Sequence, residues 1–416
     1  MPASVTHRAI DAVWRIESAK LIATLTRFTG DVGVAEDLAQ DALVAALEQW
    51  PGQGVPANPG AWLTAVAKRK AIDLIRRDKM SEGKYAEVGH EMQAAQDAGP
   101  DYDSAIDDPV GDDLLRLVFI ACHPILAREA RVSLTLRLLG GLTTDEIARA
   151  FLAPEPTIAQ RIVRAKKTLA DAKVPFEVPR GAKLKERLAS VLEVIYLVFN
   201  EGYSATSGED WVRPALCDDA LRLGRIVAEL MPQEPEVHGL VALMELQASR
   251  LRTRTDADGN PILLNDQDRS RWDQLLIRRG FAALARAEAL VAPAGPYVLQ
   301  AAIAACHASA RTADETDWHQ IHVLYDALVA VVPSPVVELN RAVAIGMARG
   351  PAVALKIVDG LTREPSLRSY HLLPAVRGDL LKKLGRLDEA RQEFERAAGL
   401  ATNERERQLL LARARA

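Results

Sequence analysis

Hydrophobic positions recur along this chain at helical spacing. Between Val34 and Trp50, Leu38, Ala42 and Ala45 follow one another at intervals of four and three. Leu43, Leu47 and Trp50 widen that apolar side, while Glu36, Asp37, Gln40, Asp41 and Glu48 are polar, which predicts an amphipathic helix. Asp31, in a Gly-flanked turn, leads into it, and Pro51 is expected to end it. Asn58-Pro59 pairs an N-cap residue with a proline at the first helical position, so the next helix is predicted over Gly60 to Arg77.

The pattern breaks from Ser81 to Asp112, where nine acidic residues are opposed only by Lys84. That composition reads as an acidic linker. About thirty residues reach roughly 100 Å when fully extended and about 30 Å on a random-coil average, so the flanking modules are expected to be able to stand tens of ångströms apart. Helical periodicity resumes over residues 113–173, then the Pro-punctuated stretch Val174 to Gly181 suggests a boundary. The divisions expected are thus 1–80, 81–112, 113–173 and 180–416.

From Leu184 to Ala416 apolar helical windows alternate with Gly and Pro. Aligning Gly350 with Gly385 superposes Leu355 on Ala390 and Asp359 on Phe394, each unit reading helix, Gly turn, helix at a period of about 35 residues. The last copy, with Phe394 between the small Ala390 and Ala397, resembles a tetratricopeptide repeat. Earlier copies near Leu299 and Trp318 have drifted.

Composition narrows the fold class. With 49% hydrophobic, 26% charged and only 5% aromatic residues, rich in Ala, Leu and Arg, the 416-residue chain is expected to be all-α and to hold more than one domain. The N-terminus has no apolar leader and no run approaches a membrane span, so a cytoplasmic protein away from membranes is expected. Cys122, Cys217 and Cys306 are far apart, fit a reducing compartment and read as small buried hydrophobes. The net charge of −4 does not argue against nucleic acid, because binding follows the local field.

That field is uneven. The first basic helix holds Lys68, Arg69, Lys70, Arg76 and Arg77 among Trp62, Leu63, Val66, Ala67 and Leu74, a mixture suited to phosphates and unstacked bases. Asp73 is placed to pair with Arg69 or Arg77 four residues away and hold their side chains. The second basic stretch follows a capping-box pattern at Thr143 and Glu146 and a turn at Leu152-Ala-Pro154-Glu-Pro156. There Ile158, Ile162, Ala165 and Leu169 form an apolar stripe, and Thr157, Gln160, Arg161, Arg164 and Lys167 fall on another side. This is the layout of a helix-turn-helix whose second helix enters a major groove. A solvated basic face on an ordinary helical hairpin is the plain alternative.

These residues resemble a known family. Val34-Ala-Glu-Asp-Leu-Ala-Gln-Asp-Ala-Leu to Trp50, Ala61-Trp-Leu-Thr-Ala-Val-Ala, Ala71-Ile-Asp-Leu-Ile-Arg-Arg77 and the helix-turn-helix together look like a bacterial extracytoplasmic-function sigma factor of the sigma-70 family, over roughly residues 7–173. The remainder, including Asn200-Glu-Gly-Tyr203, is similar to the subgroup with a long tetratricopeptide-like C-terminal extension. The resemblance implies that Glu36, Asp37, Gln40 and Asp41 bind the β′ clamp helices of core RNA polymerase, with the β flap as a further partner. It implies that Trp62, Lys68, Arg69, Arg76 and Arg77 contact the melted −10 element of promoter DNA. It assigns the −35 element to Thr157, Gln160, Arg161, Arg164 and Lys167. Many relatives have Asn where Arg69 stands and Lys where Ala159 stands, so their base preferences do not transfer.

Other chemistries find little support. Cys122-His123 and Cys306-His307 are adjacent on helices, about 100° apart, so thiolate and base would not meet. His319-x-x-His322 lacks a completing carboxylate, Asp256-Ala-Asp258-Gly-Asn260 has Pro261 and Gln267 where a calcium loop needs Gly and Glu, and there is no Gly-rich phosphate loop with Lys. No catalytic, metal or cofactor site is therefore expected. A helix-turn-helix regulator with a repeat-built sensor would leave the first 80 residues without a use, and a pure scaffold would leave both basic helices unexplained. A protein or peptide partner of the C-terminal repeats, or regulation of the rest of the chain by them, stands as a second role.

Overall fold

The computed structural model describes residues 3–82, 109–151, 153–205, 210–290 and 292–415. They form eighteen α-helices and a few short 3-10 turns, with one isolated antiparallel bridge, Thr255 to Pro261, so the all-α expectation holds among the described residues. The chain divides into two compact units, Met1–Val194 and Ile195–Ala416.

The first unit contains α1 (Ala3–Thr29), α2 (Val32–Gln53), α3 (Pro59–Glu82), α4 (Pro109–Ala121), α5 (Arg128–Leu138), α6 (Thr144–Ala150), α7 (Glu155–Asp171) and the start of α8 (Ala182–Tyr203). Asp31 starts α2 by accepting hydrogen bonds from the Gly33 and Val34 amides at 2.6 and 3.1 Å. Pro51 does not end α2. A proline in the last turn removes only its own amide, so the helix runs on to Gln53, where Gly54 at φ 87° turns the chain and donates to the Trp50 carbonyl. Asn58 accepts from the Ala61 amide at 3.1 Å and opens α3 as expected.

Most of the acidic stretch, residues 83–108, lies outside the described residues. Its ends are helical: α3 reaches Glu82 and α4 begins at Pro109. The flanking modules are not apart. Helix α4 packs on α1, and α7 meets α2. The core of this unit includes Ile22 and Leu25 of α1, Leu38 and Trp50 of α2, Leu63 of α3, Leu117 of α4 and Leu134 of α5. The first turns of α8 join it, since the Arg187 guanidinium donates to the Phe119 carbonyl at 2.6 Å, the Ser190 hydroxyl to the Cys122 carbonyl at 2.6 Å, and Arg131 pairs with Glu193 at 3.2 Å. The division between the units thus falls inside α8, downstream of the Pro-punctuated stretch.

The second unit continues with α9 (Pro214–Leu230), α10 (Pro235–Ala248), α11 (Gln274–Ala289), α12 (Pro296–Ser309), α13 (Trp318–Val331), α14 (Pro335–Arg349), α15 (Pro351–Leu361), α16 (Leu372–Lys383), α17 (Leu387–Leu400) and α18 (Glu404–Arg415). Sequential helices pack against one another from α9 onward. The aligned glycines sit where the sequence puts them, at the α14–α15 and α16–α17 turns, at φ 98° for Gly350 and 74° for Gly385. Phe394, Ala390 and Ala397 are buried in one cluster with Leu355, Val358 and Leu381. Between α10 and α11 the array is interrupted by a long loop of short 3-10 turns, closed at its base by the Asp273 amide donating to the Ser249 carbonyl at 2.9 Å.

Candidate nucleic-acid interface

Helix α3 buries Leu63, Ala67 and Ala71, which turns its basic positions outward. Lys68, Arg69 and Arg76 are exposed, and the Lys68 ammonium stands 5.6 Å from the centre of the Phe28 ring. Lys70 pairs with Asp41 of α2 at 3.2 Å. Asp73 is exposed, its expected partner Arg77 has a side chain outside those described, and Lys70 braces the helix on α2. Trp62 is half-buried with its ring edge-on to Trp50, centroids 5.3 Å apart at 68°, so part of its surface holds α3 on α2. Arg77 is on α3, but its side chain lies outside those described.

The second basic helix is built as its pattern requires. Thr143 and Glu146 form the reciprocal capping box that starts α6, with the Glu146 amide donating to the Thr143 hydroxyl at 3.1 Å and the Thr143 amide to the Glu146 carboxylate at 2.8 Å. On α7 the four buried residues are Ile158, Ile162, Ala165 and Leu169, the whole expected stripe. With that side fixed inward, Gln160, Arg164 and Lys167 are exposed and Thr157 and Arg161 half-buried. Lys167 also pairs with Asp171 at 3.2 Å. The structure therefore brings these five residues onto one helix beside a packed hairpin, the form a groove-reading element takes.

The acidic residues of α2 separate into two sets. Asp37 and Asp41 are exposed. Glu36, expected with them on the outer side, is instead 2% exposed. Its carboxylate accepts from the Arg137 guanidinium at 2.6 Å and the Gln40 amide at 2.6 Å, and it pairs with Lys166 of α7. A carboxylate taken out of water needs such partners, and here α5 and α7 supply them. Gln40 is half-buried and spent on Glu36.

Sequence reasoning missed Lys166, Arg137, Arg15 and Arg27 as docking residues. Arg15 of α1 pairs with Glu146 of α6 at 2.7 Å, and Arg27 of α1 pairs with the buried Asp113 of α4 at 3.0 Å. The signal for Lys166 was available: it follows Ile162 by four residues and precedes Leu169 by three, so it borders the apolar stripe rather than the solvent side.

The remaining candidates behave as packing or turns. The Asp256 carboxylate accepts from the Asp258 and Asn260 amides at 3.0 and 2.8 Å, making a turn with Gly259 at φ 80°. His322 is buried with its imidazole 3.5 Å from Asp326. Burial pushes the Cys122 thiol up to about 11 and Cys217 to about 12, so both stay protonated at neutral pH. No helix among the described residues is long and apolar enough to cross a membrane.

Comparison with known proteins matches three segments of the chain. Residues 15–80 match the family model described as Sigma-70 region 2, and residues 116–169 that of Sigma-70, region 4. Residues 187–288 match a family of unknown function, DUF6596. The chain is 44% identical over 384 residues to the uncharacterized protein R00370 of Rhizobium meliloti (strain 1021), covering 91% of this chain and 89% of that protein. It is 28% identical over 176 residues to the probable ECF RNA polymerase sigma factor SigI of Mycobacterium tuberculosis (strain CDC 1551 / Oshkosh), covering 41% of this chain and 58% of that one. It is 26% identical over 165 residues to the ECF RNA polymerase sigma factor SigK of Mycobacterium sp. (strain KMS), covering 38% of this chain and 81% of that one.

Proposed function

Because the chain belongs to the extracytoplasmic-function sigma factors of the sigma-70 family, in the form that carries a C-terminal helical extension, we propose that it joins core RNA polymerase in the cytoplasm and directs initiation at promoters with −10 and −35 elements. The observation that carries this reading is the pair of cationic helices, α3 and α7, each with its apolar side packed inward and Lys68, Arg69 and Arg76 of the first and Arg164 and Lys167 of the second exposed.

In this reading Lys68, Arg69, Arg76 and Arg77, with the free part of Trp62, engage the opened −10 strand through phosphate contact and stacking. Thr157, Gln160, Arg161, Arg164 and Lys167 read the −35 duplex from the major groove. Asp37 and Asp41 present the exposed acidic surface of α2 to the β′ clamp helices, Gln40 lies between them, and Glu36 serves inside the protein. The β flap is the expected partner of residues 113–173. The extension acts as a regulator of initiation or as a docking platform for a protein or peptide, and the chain itself performs no catalysis.

Run-off transcription with core polymerase and a promoter library tests this. Replacing Arg161 and Arg164 with Ala is expected to lower −35-dependent initiation about ten- to a hundredfold, at about 1–3 kcal/mol for a lost specific contact, with holoenzyme assembly unchanged. Asp37→Lys is expected to do the reverse and weaken assembly. Tight, sequence-specific binding of promoter duplex by the pure protein without polymerase would favour a helix-turn-helix regulator instead.

A further inference from the structure

The second unit holds a concentration of positive charge that neither basic helix accounts for. Arg250, Arg254 and Arg269 all lie in the loop between α10 and α11 and share three aromatic rings. The Arg254 guanidinium carbon is 3.7 Å from the centre of the Tyr203 ring and 5.6 Å from that of Trp211. Arg250 is 5.7 Å from both Tyr203 and Trp272, and Arg269 is 5.1 Å from Trp272. Tyr203 is in turn stacked on Phe199, so its ring is fixed in place.

The three arginines are not equivalent. Arg269 is buried and donates to the His307 and Ala310 carbonyls at 2.9 and 3.2 Å and to the Thr316 hydroxyl at 2.8 Å, which ties loop to array. Arg250 donates to the Tyr203 hydroxyl at 2.6 Å, and neither it nor Arg254 pairs with a carboxylate among the described residues. The Nε atoms of both, like that of Arg269, are buried without a hydrogen-bond partner among those residues, so what sets the pair apart is the absence of acceptors such as those on the Arg269 fork. Acids close to them in sequence are engaged elsewhere, Asp256 with the Asp258 and Asn260 amides at 3.0 and 2.8 Å and Glu245 with Arg225 at 2.8 Å. Both arginines are only half-buried, so solvent reaches part of each.

Like charges four residues apart, desolvated and turned onto one tyrosine, oppose each other unless an anion joins them. Their mutual effect is visible in the surroundings: burial and Arg250 both push the Arg254 guanidinium down, and Arg250 and Arg269 add to burial in holding His307 at about 3. A purely structural arginine resembles Arg269, with neutral acceptors on its fork.

We infer that Arg250 and Arg254, with the Tyr203 hydroxyl, form a receptor for a phosphoryl group between Tyr203, Trp211 and Trp272. Two planar forks carrying two charges match a tetrahedral dianion with several acceptor oxygens better than a single carboxylate. Free phosphate and the phosphoryl group of an organic monoester share this chemistry. The site lies within the segment whose family has no known function, and it requires neither DNA nor polymerase, so its failure would leave the transcriptional reading untouched.

The test is titration of the full chain with inorganic phosphate, glycerol 3-phosphate and succinate against chloride at matched ionic strength, read by intrinsic tryptophan fluorescence and by thermal midpoint. Phosphate is expected to give a saturable fluorescence change that Trp211→Phe or Trp272→Phe diminishes, with a rise in midpoint. Arg250→Gln and Arg254→Gln are each expected to weaken binding at least tenfold, while Arg252→Gln, at an exposed neighbour, leaves it unchanged. Should a Gln variant lose its helical circular dichroism, Arg250→Lys and Arg254→Lys keep the charge without the fork and are expected to bind several-fold more weakly. Tighter binding of glycerol 3-phosphate assigns an organic phosphate, and equal binding assigns the free ion. No saturable response to either, an equal response in Arg254→Gln, or succinate binding as tightly as phosphate would overturn the inference.

Discussion

At the scale of single residues, His307 shows how packing converts a side chain into a pH-dependent contribution. It is buried against Trp318, ring centroids 5.1 Å apart, with its Nδ1 unpartnered among the described residues. Burial first, then the Arg250 and Arg269 charges, push its pKa from the ordinary 6.5 down to about 3. Above about pH 6.5 the imidazole is neutral whether the chain is folded or not, and the stability of the fold is intact. As pH falls from 6.5 toward 3 the unfolded chain takes up a proton that the folded chain refuses, so stability declines, by at most about 1.4 kcal/mol per pH unit. Denaturant midpoints between pH 7 and pH 4 are expected to fall, and His307→Gln to flatten that fall. An unaltered slope in the variant would place the acid sensitivity elsewhere.

At the scale of elements, the parts of the fold that depend on local chemistry were legible. Asp31, Asn58 and the Thr143–Glu146 box begin α2, α3 and α6 where their side chains allow, and the α7 stripe was readable because four residues at spacings of four, three and four must face one way. Pro51 misled because a proline's missing amide and ring disturb the turn before it, at the Leu47 carbonyl, and near the end of a helix that cost does not stop the chain from continuing to Gln53. The boundary inside α8 was hidden because Arg187, Ser190 and Glu193 read as an ordinary solvated helix face until α4 and α5 pack against them. The capping box gives a direct measure of local chemistry: Thr143→Ala is expected to cost about 1 kcal/mol, lowering the thermal midpoint of the first unit by about 2–4 °C on circular dichroism. A shift within error would mean that the Arg15–Glu146 pair alone holds the start of α6.

At the scale of the whole molecule, the feature that no local pattern disclosed is the docking of α7 and its hairpin on α1 and α2. Long-range ion pairs carry it, and the identity of a partner a hundred residues away is not written in periodicity: Glu36 looked solvent-facing because only its own helix was in view. On the proposed function this docked arrangement cannot be the one that initiates. Elements centred near −10 and −35 lie about 25 base pairs, roughly 85 Å, apart along the duplex, whereas α7 sits against α2 and α2 against α3, a few helix diameters in all. The 26 residues 83–108 have a contour of about 85 Å, so chain length alone does not forbid the two basic helices to part. Glu36 is then the group whose loss should release them, since Glu36→Gln leaves the half-buried Arg137 without its carboxylate and Lys166 with only the more distant Asp37 at 3.9 Å. Small-angle scattering of the variant is expected to give a larger radius of gyration at unchanged helix content, with −35-dependent run-off equal to or above that of the native chain. An unchanged radius would show that Arg15–Glu146 and Arg27–Asp113 hold the modules together without it, and a fall in run-off with assembly preserved would mean that Glu36 supports the active arrangement instead.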